Sequence, residues 1–570
     1  MLSFYTKEVL SATRKLTTQC WEGGISGIEI DKVLGAEAAS RSSDHLAQAG
    51  AVLDQPGLLF TDMIRINAAR FRNKPAVICG KDQLSWADFH LRTNKVANAL
   101  IQSGLNKGEK VCLVMNSSIL MFELIWGTVK AGGVIVPLNR MMSGDGLEAT
   151  INNCDARWLI ADADAIDSID AIRSKLKKVD PNGFLTAGGA VPSWQDSRSL
   201  ISAAADDEPN VGLTMFDPMN IIYSSGSTGA PKGIEHSQLA RHIYSLGFGP
   251  GLQMTRFSVP LCSTPLYTNG TWITMLPAVY LGCTTVLLTK FTADAFLSAI
   301  EDHACTHAFA VPTQFIVLLE SGRIKKYDTA TMRVFMSGGQ AIASATEEGL
   351  RREMPHLRLY ECYGITEGFS TLAAPEDKAL QGKEKTVGLA LFGGEIVILD
   401  DDGNVLPPGE VGDIAGYGPA LMTGYYQNRE ATENMIWRDH RGRTFLRSGD
   451  LGFMDDDGYL YIAGRVKDMI KSGGINVYAS DIEEVFMRHP AVAEVAAIGI
   501  PHPRWLETPL LLAILRDSHS VDEDGLLEWG NSQLGKYQRV SRVEFRSEFP
   551  RATHDKILKR ALRDPYWTEK

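Results

Sequence analysis

Short apolar runs alternate along the chain with longer stretches in which apolar residues recur at helical spacing. Several runs are typical of buried strands, namely KVCLVMN, GGVIVPLN, ARWLIAD, TTVLLT, HAFAVPT and RVFMSGG. Segments such as residues 89–104 (FHLRTNKVANALIQSG) show the amphipathic spacing and closing glycine of a helix. Because parallel strands need a crossover between them, usually a helix, this alternation predicts an α/β fold with parallel sheets.

The pattern changes character near residue 440. The segment FLRSGDLGFMDDDGYLYIAGRVKDMIKSGG carries clustered charges and glycines between short strands in hairpin-like order. A compact helix–strand–strand pattern follows in EEVFMRHPAVAEVAAIGI and TPLLLAIL. We therefore predict three parts: an N-terminal extension of unassigned role over residues 1–55, a large N-terminal domain with parallel-rich sheets flanked by helices over 56–465, and a small α+β C-terminal domain over 466–570.

Composition and charge argue against several classes of protein. The 570 residues are 44% apolar and 22% charged, which is ordinary for a globular protein. The formal net charge of −11 argues against bulk nucleic-acid binding, because such proteins carry a basic excess that replaces counterions on phosphate. We find no apolar run long enough to span a membrane, no secretory signal and no CxxC pair among the eight cysteines. Together these features predict a cytoplasmic enzyme.

The strongest local feature is the segment IIYSSGSTGAPKG at residues 221–233. An apolar strand end runs into three glycines, several hydroxyls and Lys232. Glycines let backbone N–H groups approach an anion, hydroxyls donate hydrogen bonds and lysine adds charge, so the segment can hold a polyphosphate. Its spacing fits neither G-x-x-x-x-G-K-[ST] nor G-x-G-x-x-G. Taken alone, it is also compatible with a Ser/Gly-rich surface turn.

Further motifs follow in order along the chain. They are SGGQAI at 337–342, YGITE at 363–367, SGD at 448–450, GRVKD at 464–468, IKSGG at 470–474 and PRATHDK at 550–556. With the 221–233 segment, this ordered set resembles the signatures of the adenylate-forming superfamily, which includes acyl-CoA synthetases, luciferases and nonribosomal adenylation domains. The likeness extends over residues 60–562 and is strongest to acyl-CoA synthetases.

The resemblance implies a reaction in two steps. A carboxylic acid attacks the α-phosphate of ATP and gives an acyl-AMP and pyrophosphate. After rotation of the small domain, the acyl group passes to the thiol of coenzyme A and AMP is released. Because both reactants of the first step are anions, cations and backbone dipoles aimed at the developing charge are the main catalytic resource. The implied cofactors are ATP, Mg²⁺ and coenzyme A.

The same resemblance implies roles for individual residues. Lys556, Thr228 and Glu367 are implied to be catalytic, and Glu367 is also implied to hold the metal. The tyrosine of YGITE is implied to stack on adenine, the aspartate of SGD to bind the ribose hydroxyls, and Lys467 to be the hinge. The implied cofactor-binding residues are Ser225, Gly226, Ser227, Thr228, Gly229, Lys232, Gly338, Gly339, Gln340, Tyr363, Gly364, Thr366, Asp450, Arg465, Lys471, Gly473 and Gly474.

The acid pocket is implied to draw on several separate segments. Its residues are His236, Thr268, Asn269, Trp272, Val311, Gly338 and Gly364. Trp272 either closes this pocket, which favours a short, branched or cyclic acid, or belongs to the core. The acid-side stretch 265–270 contains no basic residue, so a second carboxylate on the substrate is not suggested. The chain departs from the family pattern at Thr268, at His502 and at Asp555, which stands where glycine usually precedes the lysine.

Two functions stay open at this point. The single-enzyme length, the absence of attached domains and the segment 471–474 favour a CoA ligase acting on a fatty or aromatic acid. The alternative is a freestanding adenylation enzyme that loads the acid onto an acyl or peptidyl carrier protein. Neither a nucleic-acid partner nor a transmembrane segment is expected, and a homodimer stays open. His303 and His307 have the spacing of a metal pair, but Ala304 replaces the glutamate of H-E-x-x-H and no third ligand is evident.

Overall fold

The computed structural model describes residues 59–142, 144–224, 232–472, 475–516, 520–536, 538–551 and 557–568. The extension predicted over residues 1–55 lies outside them. In the described part, no helix is long and apolar enough to cross a membrane.

Two large sheets contain most of the predicted buried strands. The strands of the first sheet are β1 Pro75–Cys79, β2 Asp82–Ser85, β10 Pro260–Cys262, β11 Thr285–Leu287, β12 His307–Ala310, β13 Val334–Gly338 and β14 Arg358–Cys362. The strands of the second are β3 Lys110–Val114, β4 Val134–Pro137, β5 Ala156–Ala161, β6 Phe184–Thr186, β7 Gln195–Asp196, β8 Pro218–Ser224, β9 Lys232–Ser237 and β19 Gly424–Tyr425. The spatial order is β14-β13-β12-β10-β11-β1-β2 in the first sheet and β19-β9-β8-β4-β3-β5-β6-β7 in the second.

Neighbouring strands in these two sheets are parallel except for the pairs β1–β2, β8–β9 and β9–β19. The six apolar runs taken from the sequence form β3, β4, β5, β11, β12 and β13, and their residues are largely buried. The prediction of an α/β fold with parallel-rich sheets is thereby confirmed.

Helices follow most of these strands. They are α1 Phe60–Arg70, α2 Trp86–Gln102, α3 Ile119–Lys130, α4 Gly144–Asn153, α5 Ile166–Asp170, α6 Ser197–Ala203, α7 Gln238–Gly251, α8 Asn269–Leu281, α9 Ala293–His303, α10 Pro312–Glu320, α11 Ser344–Glu353, α12 Pro375–Lys378, α13 Arg429–Glu433, α14 Ala479–Phe486, α15 Glu523–Gln533 and α16 Lys559–Thr568. Hydroxyls of Ser85, Ser118, Ser237 and Thr292 accept the backbone N–H three residues ahead, which caps α2, α3, α7 and α9.

Three smaller sheets complete the fold. One is a pair, β15 Thr371–Leu372 and β16 Leu389–Ala390. An antiparallel sheet consists of β17 Glu395–Leu399, β18 Gly412–Tyr417, β20 Ile436–Arg438, β21 Thr444–Met454 and β22 Leu460–Arg465. The C-terminal sheet consists of β23 Ile470–Ser472, β24 Ile475–Val477, β25 Val492–His502, β26 Leu506–Leu515 and β27 Arg542–Phe545. Among the described residues it shares no strand with the other sheets, while the domain boundary at residue 465 stays a prediction.

Candidate active site

The SGGQAI and YGITE motifs emerge side by side from one edge of the first sheet. β13 and β14 are parallel neighbours, and Gly338 is paired with Cys362 where the two strands end. Ligands of α/β sheets bind at the carboxyl ends of the strands, so this edge is the expected place for a site. Gly364 has no room for a side chain, because a Cβ would lie 2.4 Å from the Ser370 hydroxyl oxygen. Residues 363–367 are called the YGITE loop below.

The first residue of the YGITE loop contacts the predicted ribose-binding aspartate. The Tyr363 hydroxyl donates a hydrogen bond of 2.9 Å to Asp450 Oδ2, and Arg465 Nε lies 3.0 Å from Asp450 Oδ1. Asp450 and Arg465 face each other across β21 and β22. Burial and the Asp450 charge raise the pKa of Tyr363 well above its usual value, so the hydroxyl stays protonated and can donate.

The last residue of the loop belongs to a second cluster. The Tyr425 hydroxyl donates to the Glu367 carboxylate, and Lys232 Nζ lies 5.1 Å from the centre of the Tyr425 ring. Burial raises the pKa of Glu367, while the hydrogen bond from Tyr425 and the charge of Lys232 oppose that rise. Sequence reasoning missed Tyr425. It reaches the site because β19 pairs with β9, where Tyr425 faces Ile234, and no local motif signals a pairing over this distance.

The acid-side residues form a third cluster. His236 is buried, and its Nε2 lies 2.8 Å from the carbonyl oxygen of Thr366 in the YGITE loop. Its Nδ1 lies 3.2 Å from a guanidinium nitrogen of Arg241, which can only donate. These partners assign the neutral form with the proton on Nε2, and burial lowers the pKa of His236 well below its usual value.

Arg241 links His236 to the acid-side helix α8. Its Nη1 donates to Asn269 Oδ1 at 2.9 Å, and Asn269 Nδ2 donates to the Tyr244 hydroxyl at 3.2 Å. Thr268 donates to the carbonyl oxygen of Pro265 at 2.9 Å, within the turn that precedes the helix. Sequence reasoning missed Arg241, because it lies on α7 and outside the acid-side stretch.

Trp272 and Phe309 also lie in this region. The Trp272 side chain is fully buried in the core, and its indole N–H donates to the carbonyl oxygen of Leu266 at 2.8 Å. The Phe309 ring is also buried and lies between Gly270 and Gly338. A Cβ at Gly270 would lie 2.2 Å from the Phe309 ring, so this position needs glycine, and a Cβ at Gly338 would make a tight contact of 3.0 Å with the same ring.

The remaining predicted residues are distributed as follows. Gly339 has φ of +84°, a left-handed conformation that favours glycine. Val311 precedes α10, and its N–H donates to Gln314 Oε1 at 3.2 Å. The Lys467 carbonyl accepts from Arg563 at 3.2 Å, and the Lys471 N–H donates to Glu507 at 3.2 Å. Gln340 is partly buried beside Gly339.

Several predicted residues lie outside the described part of the chain. They are Ser225, Gly226, Ser227, Thr228, Gly229, Gly473, Gly474 and Lys556. Strands β8 and β9 are paired as far as Ser224 and Lys232, so the two ends of the predicted phosphate segment are neighbours.

Comparison with known proteins identifies the family. Residues 64–426 match the model of the AMP-binding enzyme family, and residues 481–556 match that of the AMP-binding enzyme C-terminal domain. The chain is 30% identical over 489 residues to a long-chain-fatty-acid–CoA ligase, FadD13, of Mycobacterium tuberculosis, covering 85% of this chain and 93% of the relative. It is 28% identical to a fatty acid–[acyl-carrier-protein] ligase, ScoC, of Streptomyces coeruleorubidus, covering 86% of this chain and 93% of the relative.

A solved structure shows the same architecture. ATP-bound MatB from Rhodopseudomonas palustris superposes with a TM-score of 0.79 at 28% identity, covering 89% of this chain and 99% of MatB. The predicted superfamily and the predicted enzyme class are confirmed. The chain belongs to the AMP-binding enzyme family of adenylate-forming enzymes and is an AMP-forming acid–thiol ligase.

Proposed function

We propose that the protein is an ATP-dependent carboxylic acid–CoA ligase. It activates the acid as an acyl-AMP with release of pyrophosphate, and it then transfers the acyl group to the thiol of coenzyme A with release of AMP. One observation carries the proposal: the YGITE loop contacts all three clusters, through Tyr363 to Asp450, Thr366 to His236, and Glu367 to Tyr425. A single loop therefore joins a ribose-binding carboxylate, an acid-side wall and an acidic side chain suited to a metal. The similarity to CoA ligases supports coenzyme A as the acceptor.

The nucleotide binds at the Asp450 cluster in this proposal. The Asp450 carboxylate accepts hydrogen bonds from the two ribose hydroxyls, and charged acceptors make the stronger hydrogen bonds. The Tyr363 ring is held in place by its bond to Asp450 and offers a flat face to adenine. Gly338, Gly339, Gln340, Gly364 and Arg465 complete the nucleotide pocket.

Glu367 is the proposed ligand of Mg²⁺. The described residues contain no group of three or more His, Cys, Asp or Glu side chains that could hold a metal ion. One carboxylate nevertheless fits this ion, because Mg²⁺ usually takes one or two carboxylates and completes its shell with phosphates and water. When bound, the ion neutralises charge on the leaving pyrophosphate.

Lysines and hydroxyls are proposed to bind the phosphates of ATP and the carboxylate of the acid. Lys232 and Thr228 hold the leaving phosphates together with Ser225, Gly226, Ser227 and Gly229. Lys556 draws the acid carboxylate and the α-phosphate together, because its charge offsets their repulsion. Lys467 is the proposed hinge for the domain rotation, and Lys471, Gly473 and Gly474 line the passage for the thiol in the second step.

The acid is proposed to be compact. Phe309 occupies the space beside Gly270 and Gly338, so its ring limits how far an acyl chain extends along Thr268, Asn269, Val311 and Gly364. Phe309→Ala should shift the preference towards longer acids, because removing a buried ring leaves a cavity that a chain can fill. The check is kcat/KM for a series of straight-chain acids. An unchanged profile would show that Phe309 is not the wall.

The direct test is pyrophosphate release with ATP, Mg²⁺ and a panel of carboxylic acids, with and without coenzyme A. Continuous turnover that needs coenzyme A and yields an acyl-CoA supports the proposal. The similarity to ScoC favours one second candidate, loading of a carrier protein. A burst of bound acyl-AMP that coenzyme A does not discharge, but that a phosphopantetheinylated carrier protein does, would establish this second function.

A further inference from the structure

Arg241 is a fully buried cation without a carboxylate partner among the described residues. Its residue surface is 1% exposed. Its Nε donates to Asn220 Oδ1 at 2.7 Å, while its two Nη atoms contact Asn269 Oδ1 at 2.9 Å and His236 Nδ1 at 3.2 Å. The guanidinium carbon lies 5.0 Å from the centre of the Trp272 ring. All of these partners are neutral, so the positive charge is not balanced where it lies.

Other buried cations of the chain deal with their charge differently. Lys378 is paired with Glu361 at 2.6 Å, and both side chains are about nine-tenths buried. Lys130 is 2% exposed and has neutral partners, but burial lowers its pKa to about 7, so it can release its proton. Burial lowers the pKa of Arg241 only to about 10, so it stays charged at neutral pH. A buried charge that is neither paired nor released is costly, and it needs an anion from elsewhere.

The place of Arg241 indicates where that anion comes from. Its nearest polar partners, His236 and Asn269, are both residues of the predicted acid pocket, and His236 also contacts the YGITE loop. The guanidinium therefore lies directly behind the wall of that pocket. An acid substrate brings at least one carboxylate there in each catalytic cycle.

We propose that Arg241 supplies the positive charge against which a carboxylate of the acid substrate binds, acting through His236 and Asn269. This inference rests on the proposed function. Arg241 is thus a positioning residue for the acid, and the carboxylate it serves is either the reacting one or a second one at the far end of a dicarboxylic acid. If Arg241 serves a second carboxylate, the preferred substrate is a dicarboxylic acid, although the acid-side stretch 265–270 itself has no basic residue.

The test compares three variants with the wild-type protein. Arg241→Gln removes the charge, Arg241→Lys keeps it, and Lys130→Gln is a matched control that removes a buried cation on α3. Pyrophosphate release is measured at varied acid and at varied ATP. The acids are the best monocarboxylic substrate of the panel and the dicarboxylic acid of the same length.

We expect Arg241→Gln to raise the acid KM about 10- to 100-fold, the range for losing an interaction with a charged group. The KM for ATP should stay within about twofold, Arg241→Lys should restore part of the acid affinity, and Lys130→Gln should change neither KM. If the KM rises for both acids, Arg241 serves the reacting carboxylate. If the KM rises for the dicarboxylic acid alone, Arg241 serves the second carboxylate.

Two results would overturn the inference. One is an unchanged acid KM in Arg241→Gln, and the other is an equal rise in the KM values for acid and ATP, which is the sign of a structural role. If the wild-type protein releases no pyrophosphate with any acid, the proposed function itself fails, and that result is distinct from both.

Discussion

Two regions of the candidate site balance their charges differently: the cluster around Asp450, called the nucleotide side, and the cluster around Arg241, called the acid side. On the nucleotide side, Asp450 has a guanidinium within 3.0 Å and a tyrosine hydroxyl within 2.9 Å, so its negative charge is compensated inside the protein. On the acid side, Arg241 has only neutral partners among the described residues. The charge of Asp450 is compensated within the protein, whereas we propose that a charged substrate compensates the charge of Arg241. Substitutions on the nucleotide side should therefore change the kinetic constants for ATP, and substitutions on the acid side should change those for the acid.

The largest expected effect comes from breaking the nucleotide side. Asp450→Ala removes the proposed acceptor for two ribose hydroxyls and leaves Tyr363 and Arg465 without their shared partner. Each hydrogen bond to a charged group contributes about 1.5–3 kcal/mol, so kcat/KM for ATP should fall by at least about 100-fold. Pyrophosphate release at varied ATP and saturating acid measures this loss.

Asp439→Ala is the matched control for Asp450. Asp439 is similarly buried and lies 2.7 Å from Arg443, in the turn that joins β20 and β21. Its loss should leave kcat/KM for ATP nearly unchanged in the folded protein. A fall of less than tenfold in Asp450→Ala, or an equal fall in the control, would contradict the assignment of Asp450 to the ribose.

A smaller effect is expected at Glu367, the last residue of the YGITE loop. Glu367 must be ionised to hold a cation, and its pKa is raised by burial but lowered by the hydrogen bond from Tyr425. Tyr425→Phe removes that bond and raises the pKa further. The acidic limb of the pH profile of kcat/KM for ATP should therefore move to higher pH.

Tyr426→Phe provides the control for this shift. The neighbouring tyrosine donates to Asp155 at 3.2 Å rather than to Glu367, so its removal should leave the acidic limb in place. If the acidic limb of the pH profile stays in place or moves to lower pH in Tyr425→Phe, the hydrogen bond from Tyr425 does not lower the pKa of Glu367.

The features that could be predicted from the sequence have a local sequence signal, and those that could not depend on packing between distant segments. The apolar runs predicted β3, β4, β5, β11, β12 and β13, because burial of a strand on both faces leaves a continuous apolar signature. Short motifs singled out Tyr363, Glu367 and Asp450 through the resemblance to the adenylate-forming superfamily, because each motif is contiguous in sequence. The structure brings Tyr363 into contact with Asp450, and the roles of the three residues stay predictions. Arg241 and Tyr425 could not be found in this way. Each reaches the site through packing between elements that are distant in sequence, α7 on α8 and β19 on β9, and a lone arginine or tyrosine carries no local signal.

The smallest effect on activity is expected at Lys130, the buried cation outside the site. Its pKa is about 7 in the folded protein against about 10.5 when unfolded, so below pH 7 folding must bury a charge. As pH rises from 7 towards 10, the folded state has released this proton while the unfolded state retains it, so the free energy of unfolding rises. Lys130→Met removes that penalty. We expect the variant to be more stable than the wild-type protein at pH 6 by up to about 5 kcal/mol, an advantage that shrinks as pH rises above 7.

Urea unfolding across this pH range measures the stability of each variant, and pyrophosphate release measures its activity. Together they test whether a buried cation without a carboxylate partner matters for activity only beside the proposed acid pocket. Lys383→Met is the control of opposite sign, because Lys383 lies 2.8 Å from Asp457, also contacts Asp455, and gains from being charged. That control should lose stability at pH 6 rather than gain it. A stability difference for Lys130→Met that does not change with pH would show that its charge is not the cost. A loss of activity in Lys130→Met would erase the contrast with Arg241, since only Arg241 contacts residues of the proposed acid pocket.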